Sequence, residues 1–394
     1  HMLEHMAFNG TTHFRPGELV EYLESIGSEF GPHVNAYTGF DETVYMLDVP
    51  TDRPGALARA MDALSDFAGG MTLDSAEIDR ERGVVIEEWR GRLGAGTRMQ
   101  EPQLRALFGA SRYLDRLPIG TPEVLRSFSA DRLRDFYRTH YRSDRMAVVI
   151  VGDLEAAEAA RLVQASFAHL QPSDGAPRPL YDIPAHDDTR YVTVSDPEAQ
   201  ATRVSITMKF PRRPFRTAAD YRRNIVRSLV HQMINARFRE MARAAAAPFL
   251  QASTGNESLG RTTEGFSISA RVEDGRADAA LRALGQEIAR LRQHGFGDAE
   301  LTRAKVGLLT AYERGLKERD TVESADYASE IVRYYLHDEP APGIEMELSL
   351  LQALLPSISA NEAAAYLRSL LRDDNRVVRG PEQMPAQFAA HQRV

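Results

Sequence analysis

The sequence predicts an α+β fold made of two tandem, homologous α/β-layer domains, each a mostly antiparallel sheet with helices packed on it. Three observations lead there. The chain has 394 residues, more than one ordinary domain holds. Strand-like and helix-like segments alternate with hairpin-connected strand pairs and without βαβ units. The second half also repeats the first: Ser129-Ala130-Asp131, a helix, then Asp144-Arg145 and a strand recurs as Ser359-Ala360-Asn361, a helix, then Asp374-Asn375-Arg376-Val377-Val378. Ala76-Glu77-Ile78-Asp79-Arg80 likewise matches Ala299-Glu300-Leu301-Thr302-Arg303, which sets Glu81 opposite Ala304 and Glu88 opposite Ala311. The Pro-rich stretch Gln171 to Pro184 reads as the linker, giving domains 1–180 and 185–394.

Taken in order, residues 1–10 read as a helix stopped by Gly10-Thr11-Thr12. A second helix runs from Gly17 to Ile26, with Leu19, Tyr22, Leu23 and Ile26 on one face. His33 to Thr38 and Thr43 to Val49 are strands of a hairpin. A helix from Pro54 to Phe67 stops at Gly69-Gly70, and Asp74-Ser75-Ala76-Glu77 opens the helix that carries Glu81 to Glu88. Ala130 to His140 is a helix, Met146 to Val151 a strand, and Tyr221 to Met241 a helix of the second half.

Composition narrows the function. The chain is 43% hydrophobic and 26% charged with a net charge of −8, a balance that argues against nucleic acid as a partner. No apolar run approaches the roughly 18 residues of a membrane span. Cysteine is absent, which excludes disulfides, thiolate ligands and a thiol nucleophile, and is compatible with an oxidising compartment such as a periplasm. A metal would have to be held by His and carboxylates.

The first five residues, His1-Met2-Leu3-Glu4-His5, supply such a set. They read H-x-x-E-H, the inverted zinc-peptidase signature. On a helix His1 and His5 share a face and can offer two imidazoles to one ion, while Glu4 can reach a water there without competing for the metal. A third ligand must come from elsewhere, and Glu81, Glu87 and Glu88 are candidates. Glu81 and Glu88 nearly eclipse each other and share a stripe with Val84 and Val85, where a carboxylate is expensive unless paired or metal-bound. Glu87 turns aside, between Arg80 and Arg90. Because the chain opens on a candidate ligand, the expectation is that further residues precede it.

His1 to Thr11, Asn35-Ala36-Tyr37-Thr38 followed by Glu42-Thr43-Val44-Tyr45, and Glu81 to Trp89 together resemble the pitrilysin/insulinase family of inverted-motif zinc peptidases, and in particular its bacterial periplasmic branch. Tyr141 and Arg145 to Asp153 resemble the family's next block. The resemblance implies the half of a clam-shell, one Zn2+ per chain held by His1, His5 and Glu88, Glu4 as general base and Glu81 as a carboxylate that orients a ligand. It implies that Asn35 and Ala36 lie on an edge strand that takes a peptide substrate backbone to backbone. It also implies a departure: the family completes its site with an Arg and a Tyr from a second half or partner subunit. Here Arg239-Glu240 is followed by Pro248-Phe249, without that Tyr.

The expected function is therefore a zinc-dependent endopeptidase acting on peptides or unfolded proteins, completed by a homologous half or partner subunit. The alternative is a non-catalytic scaffold or substrate-presenting subunit of the same fold, against which the intact ligand set weighs. A metal-dependent hydrolase of a small molecule is weaker still. His13 and His33 read as surface residues, His140 as a helix-end residue whose cation the macrodipole favours, and Trp89 as core packing.

Overall fold

The structure is a computed structural model that describes residues 1–381 except 173, 174 and 176. Three residues of the expected linker and residues 382–394 of the expected second domain thus lie outside the described residues. The chain forms two compact units. The first comprises His1–Arg92, Asp115–Pro179 and Glu323–Leu336; the second comprises Leu93–Leu114, Leu180–Val322 and the described residues from His337 on. The main boundary falls inside the Pro-rich stretch, between Pro179 and Leu180, but each unit also borrows a segment from the other's side of it.

The first unit begins with α1 (Met2–Met6), α2 (Glu18–Ser25), the hairpin β1 (Val34–Thr38) and β2 (Thr43–Leu47), α3 (Ala56–Gly69) and α4 (Ser75–Gly91). The next helix, α5 (Ala95–Phe108), belongs to the second unit, and α6 (Pro122–Ser127), α7 (Ala130–His140) and α8 (Ala156–Phe167) return to the first. The hairpin is antiparallel, with Val34 opposite Leu47 and Thr38 opposite Thr43. The core gathers Met2, Leu3, Met6 and Ala7 of α1 and its exit, Leu19 and Leu23 of α2, Phe67 of α3, and Ile78, Val85 and Ile86 of α4.

Two sequence expectations need correction here. The expected strand Met146 to Val151 joins no ladder among the described residues: a β-branched run makes a strand only where a neighbour takes its backbone groups. Val84 is 53% exposed whereas Val85 is fully buried, so Glu81 and Glu88 lie at the rim of the apolar face of α4 and not within it. The buried side is centred on Ile78, Val85 and Ile86, and at about 100° per residue Val84 falls beyond its edge.

The second unit continues with β3 (Thr189–Thr193), β4 (Thr202–Pro211), α9 (Ala218–Ala242), β5 (Gln251–Ser258), β6 (Thr263–Val272), α10 (Ala277–His294) and α11 (Asp298–Glu318). After α12 (Ser324–His337), most of which belongs to the first unit, come α13 (Ile344–Leu354), α14 (Ala360–Leu370) and β7 (Arg376–Gly380). Its sheet has the order β3-β7-β4-β6-β5, antiparallel throughout except for the parallel pair β3 and β7. The α+β class expected from the sequence is the class observed. Val204, Ile206, Met208 and Phe210 of β4 alternate toward the helices with Phe266, Ile268, Ala270 and Val272 of β6. Among the described residues, no helix is long and apolar enough to cross a membrane.

The other face of this sheet is polar and holds Lys209, fully buried in β4. Its Nζ donates to the carbonyls of Leu107 at 2.8 Å and Pro184 at 3.1 Å, and Asn375 Nδ2 donates to the Lys209 carbonyl at 3.0 Å. Burial, aided by the nearby Arg190 charge, pushes the Lys209 pKa down from 10.5 to about 8. Between those values the unfolded chain binds more protons than the folded one, so folding stability gained from this group rises with pH. Denaturant unfolding followed across that window therefore has a steeper upward slope for the wild type than for Lys209→Met; parallel curves would show that the ammonium is accommodated without cost.

Candidate metal centre

The site is built on α1 and α4 of the first unit. Five residues are too few to stand as a helix alone, and α1 is held by burial of Met2, Leu3 and Met6. The backbone bond from His5 N to His1 O, at 3.1 Å, keeps the two histidines on one face with ring centroids 4.7 Å apart. The exit from α1 is fixed by Gly10, whose φ of 109° favours glycine and whose carbonyl accepts from Thr72 N at 3.1 Å and Thr72 Oγ1 at 2.9 Å. The opposing helix α4 starts at Asp74, whose carboxylate accepts from Ala76 N and Glu77 N, as the sequence predicted.

His1 Nε2 lies 3.4 Å and His5 Nε2 3.3 Å from the same oxygen, Oε2 of Glu88. These three residues form the one group able to hold a metal ion among the described residues, with ligand atoms all within 4.8 Å of one another. Glu81 stands behind His5: His5 Nδ1 donates to its Oε1 at 2.7 Å. Since a carboxylate only accepts, this bond places a hydrogen on Nδ1, so that in the neutral ring Nε2, the nitrogen facing Glu88, is the one with the lone pair. Burial opposes protonation of His5, but the Glu81 hydrogen bond and the charges of Glu81, Glu88 and Glu4 outweigh it and raise its pKa. His1 has no such support; its Nδ1 is buried without a hydrogen-bond partner among the described residues.

Each of the three site carboxylates has one oxygen occupied by a residue outside the expected set. Thr38 Oγ1 donates to Glu4 Oε2 at 2.5 Å, Asn9 Nδ2 to Glu81 Oε2 at 2.9 Å, and Arg92 to Glu88 Oε1. The sequence reading missed these roles for Thr38, Asn9 and Arg92, although the signals were there. Asn9 and Arg92 follow His5 and Glu88 by one helical turn, and Thr38 shares a strand face with Ala36. Beyond Thr38 a chain of hydroxyls continues through Thr43, at 3.3 Å, toward Tyr141, which meets Tyr45 at 2.8 Å. Burial, with the neighbouring Tyr141 and the Glu4 charge, holds the Tyr45 phenol well above its ordinary pKa, so this chain is neutral.

Asn35 and Ala36 lie on β1, which pairs with β2 and, among the described residues, otherwise makes only an isolated bridge from Val34 to Phe30. Asn35 is exposed and folds back on its own strand, its Oδ1 accepting from Ala36 N at 2.8 Å and its Nδ2 donating to Gly31 O at 3.1 Å. Glu87 is solvated and paired with Arg90. His13 bonds buried Asp66 at 2.9 Å and His33 Nδ1 accepts from Glu29 N at 3.2 Å, both outside the centre. His140 ends α7 as expected, yet its pKa is lowered by burial and by Arg145 and Arg142, which override the favourable helix end.

Two imidazoles and a carboxylate thus converge on one point, with a further carboxylate beside them. Residues 1–101 match the family described as insulinase (peptidase family M16), and residues 127–308 match the peptidase M16 inactive domain. The chain belongs to this insulinase/pitrilysin family. It is 33% identical over its full length to a zinc protease PQQL-like protein of Arabidopsis thaliana, and 28% identical over 95% of its length to the probable zinc protease PqqL of Escherichia coli. It spans only 38% and 40% of those relatives. The crystal structure of the first half of the periplasmic protease PqqL from Escherichia coli superimposes with a TM-score of 0.90 at 25% identity, covering 100% of this chain and 84% of that one.

Because α4 carries both Glu81 and Glu88, its capping residue supports the whole centre. Asp74→Ala is expected to lower the stability of the first unit by about 1 kcal/mol, read by denaturant unfolding; an unchanged midpoint would mean that the α4 terminus is held by packing alone.

Proposed function

We propose that this chain is the metal-bearing part of a zinc-dependent endopeptidase that hydrolyses peptides or unfolded proteins, completed by a homologous second half or partner subunit. The observation that carries this reading is the separation of His1 Nε2 and His5 Nε2 from Glu88 Oε2, 3.4 and 3.3 Å. Two ligands of a tetrahedral ion with bonds of about 2.0–2.1 Å stand roughly 3.3–3.4 Å apart, so the donor set fits one Zn2+ and leaves the fourth position open. Bound there, zinc would lower the pKa of a coordinated water to about 7 and polarise a substrate carbonyl.

The chain's own residues would do the rest. Glu4, its Oε2 held by Thr38, has Oε1 left to take a proton from the attacking water and return it to the leaving amine. Glu81 holds His5 in the Nδ1–H tautomer, as outer carboxylates do for metal-bound histidines. β1 would receive the substrate as an added strand. Its Ala36 N–H is occupied by the Asn35 side chain, so a peptide pairing there must displace that amide, which makes Asn35 a gate as well as a contact. Residues 1–180 would then carry the chemistry and 185–394 the scaffold. The periplasm is the compartment proposed for it, supported by the periplasmic Escherichia coli structure and by the absence of cysteine.

Elemental analysis should find one zinc per chain, lost in Glu88→Gln and kept in Glu4→Gln. In the protein at its full natural length, cleavage of a quenched peptide should stop with chelator and fall by at least about a hundredfold in Glu4→Gln. Undiminished cleavage by Glu4→Gln would sink the mechanism, and full zinc without any cleavage would favour a substrate-presenting subunit.

A further inference from the structure

Asn9 stands four residues after His5, outside the H-x-x-E-H motif, and is half-buried. Its Nδ2 makes two bonds, to Glu81 Oε2 at 2.9 Å and back to His5 O at 3.2 Å. Both partners are oxygens that accept, which settles the orientation of the amide: a carboxamide has two N–H groups on one nitrogen, and here both are spent. The carboxylate thus engaged gives its other oxygen to His5 Nδ1 at 2.7 Å, and the His5 and Glu81 side chains are only 22% and 14% exposed.

We propose that Asn9 is a positioning residue of the metal centre, acting through Glu81; this rests on the reading of His1, His5 and Glu88 as zinc ligands. A carboxylate with one free oxygen can rotate about its terminal bond, and the imidazole it steadies can then swing or take the other tautomer. Asn9 removes that freedom by occupying Oε2, so that Oε1 faces Nδ1 and Nε2 faces Glu88. Its second bond ties the clamp to the α1 backbone, so histidine, carboxylate and amide move as one body. The amide also suits the charge balance. It gives one N–H to Glu81 and one to the His5 carbonyl without adding a cation, whereas an Asp there would replace both donors with repulsion.

The test is a set of variants, Asn9→Leu and Asn9→Asp, each in the wild-type and Glu81→Ala backgrounds. Zinc affinity is measured by competition with a chromophoric chelator. Asn9→Leu should weaken binding about tenfold, the lower end of what outer partners contribute, and Asn9→Asp by more. In the Glu81→Ala background the Asn9→Leu change should shrink to roughly twofold or less, since the two residues act as a coupled pair. The second readout needs no metal: side-chain 15N shifts of His5 at alkaline pH should report a single Nδ1–H tautomer in the wild type and a mixture in Asn9→Leu. Wild-type zinc affinity together with an unchanged tautomer in Asn9→Leu overturns the proposal, as does an equal loss with and without Glu81. Absence of zinc from every variant, wild type included, would instead refute the zinc reading, and the tautomer would still decide the role of Asn9.

Discussion

Five residues make barely one turn of helix and cannot stay helical in water by themselves, so the placing of His1 and His5 depends on the contact between α1 and α4. The burial of Met2, Leu3, Met6 and Ala7 against Ile78, Val85 and Ile86 supplies that contact. It sets the two imidazoles over the stretch of α4 where Glu81 and Glu88 reach up from the rim. Gly10 then turns the chain away, leaving the ligand face of α1 directed at α4 and the hairpin. Packing between apolar faces thus brings polar atoms that are far apart in the chain within hydrogen-bond reach of one another.

Division of labour within each carboxylate is the second feature of the centre. Glu88 turns one oxygen to the two histidines and gives the other to Arg92; Glu81 divides itself between His5 and Asn9. Glu4 has one oxygen taken by Thr38 and one left over. Two-oxygen groups held at one end lose the freedom to chelate or to rotate, and what remains is one directed oxygen.

In the second unit an i, i+4 pair of polar residues on a helix serves a different purpose. On α9, His231 and Asn235 have the i, i+4 spacing of His1 and His5, but their partners are strand residues. His231 Nδ1 meets Thr254 Oγ1 at 2.6 Å, and Asn235 Oδ1 accepts from Thr254 N at 2.8 Å. On α11 the position matching Glu81 is Ala304, which is buried, and the one matching Glu88 is Ala311, which is exposed. Polar residues there tie β5 to its helix and the sheet is closed by apolar packing. Among the described residues the two units differ in their sheets as well, a two-stranded hairpin in the first and five strands in the second.

Spacing, capping and turn chemistry are local properties, and the sequence alone determined them. The H-x-x-E-H face, the near-eclipse of Glu81 and Glu88, the Asp74 cap, the hairpin from Val34 to Leu47 and the helix Ala130–His140 all follow from neighbours within a few residues. Tertiary structure decided whatever depends on residues far apart in the chain. Val84 and Val85 are adjacent and chemically alike, yet only the direction of the core tells which is buried. Met146 to Val151 has the composition of a strand and lacks a partner among the described residues. Asn9 and Thr38 read as ordinary loop and strand residues until α4 and α1 bring carboxylates within reach. The physical reason is the same in each case: a backbone preference is a matter of one residue and its nearest neighbours, whereas a hydrogen bond or a burial needs two surfaces to meet.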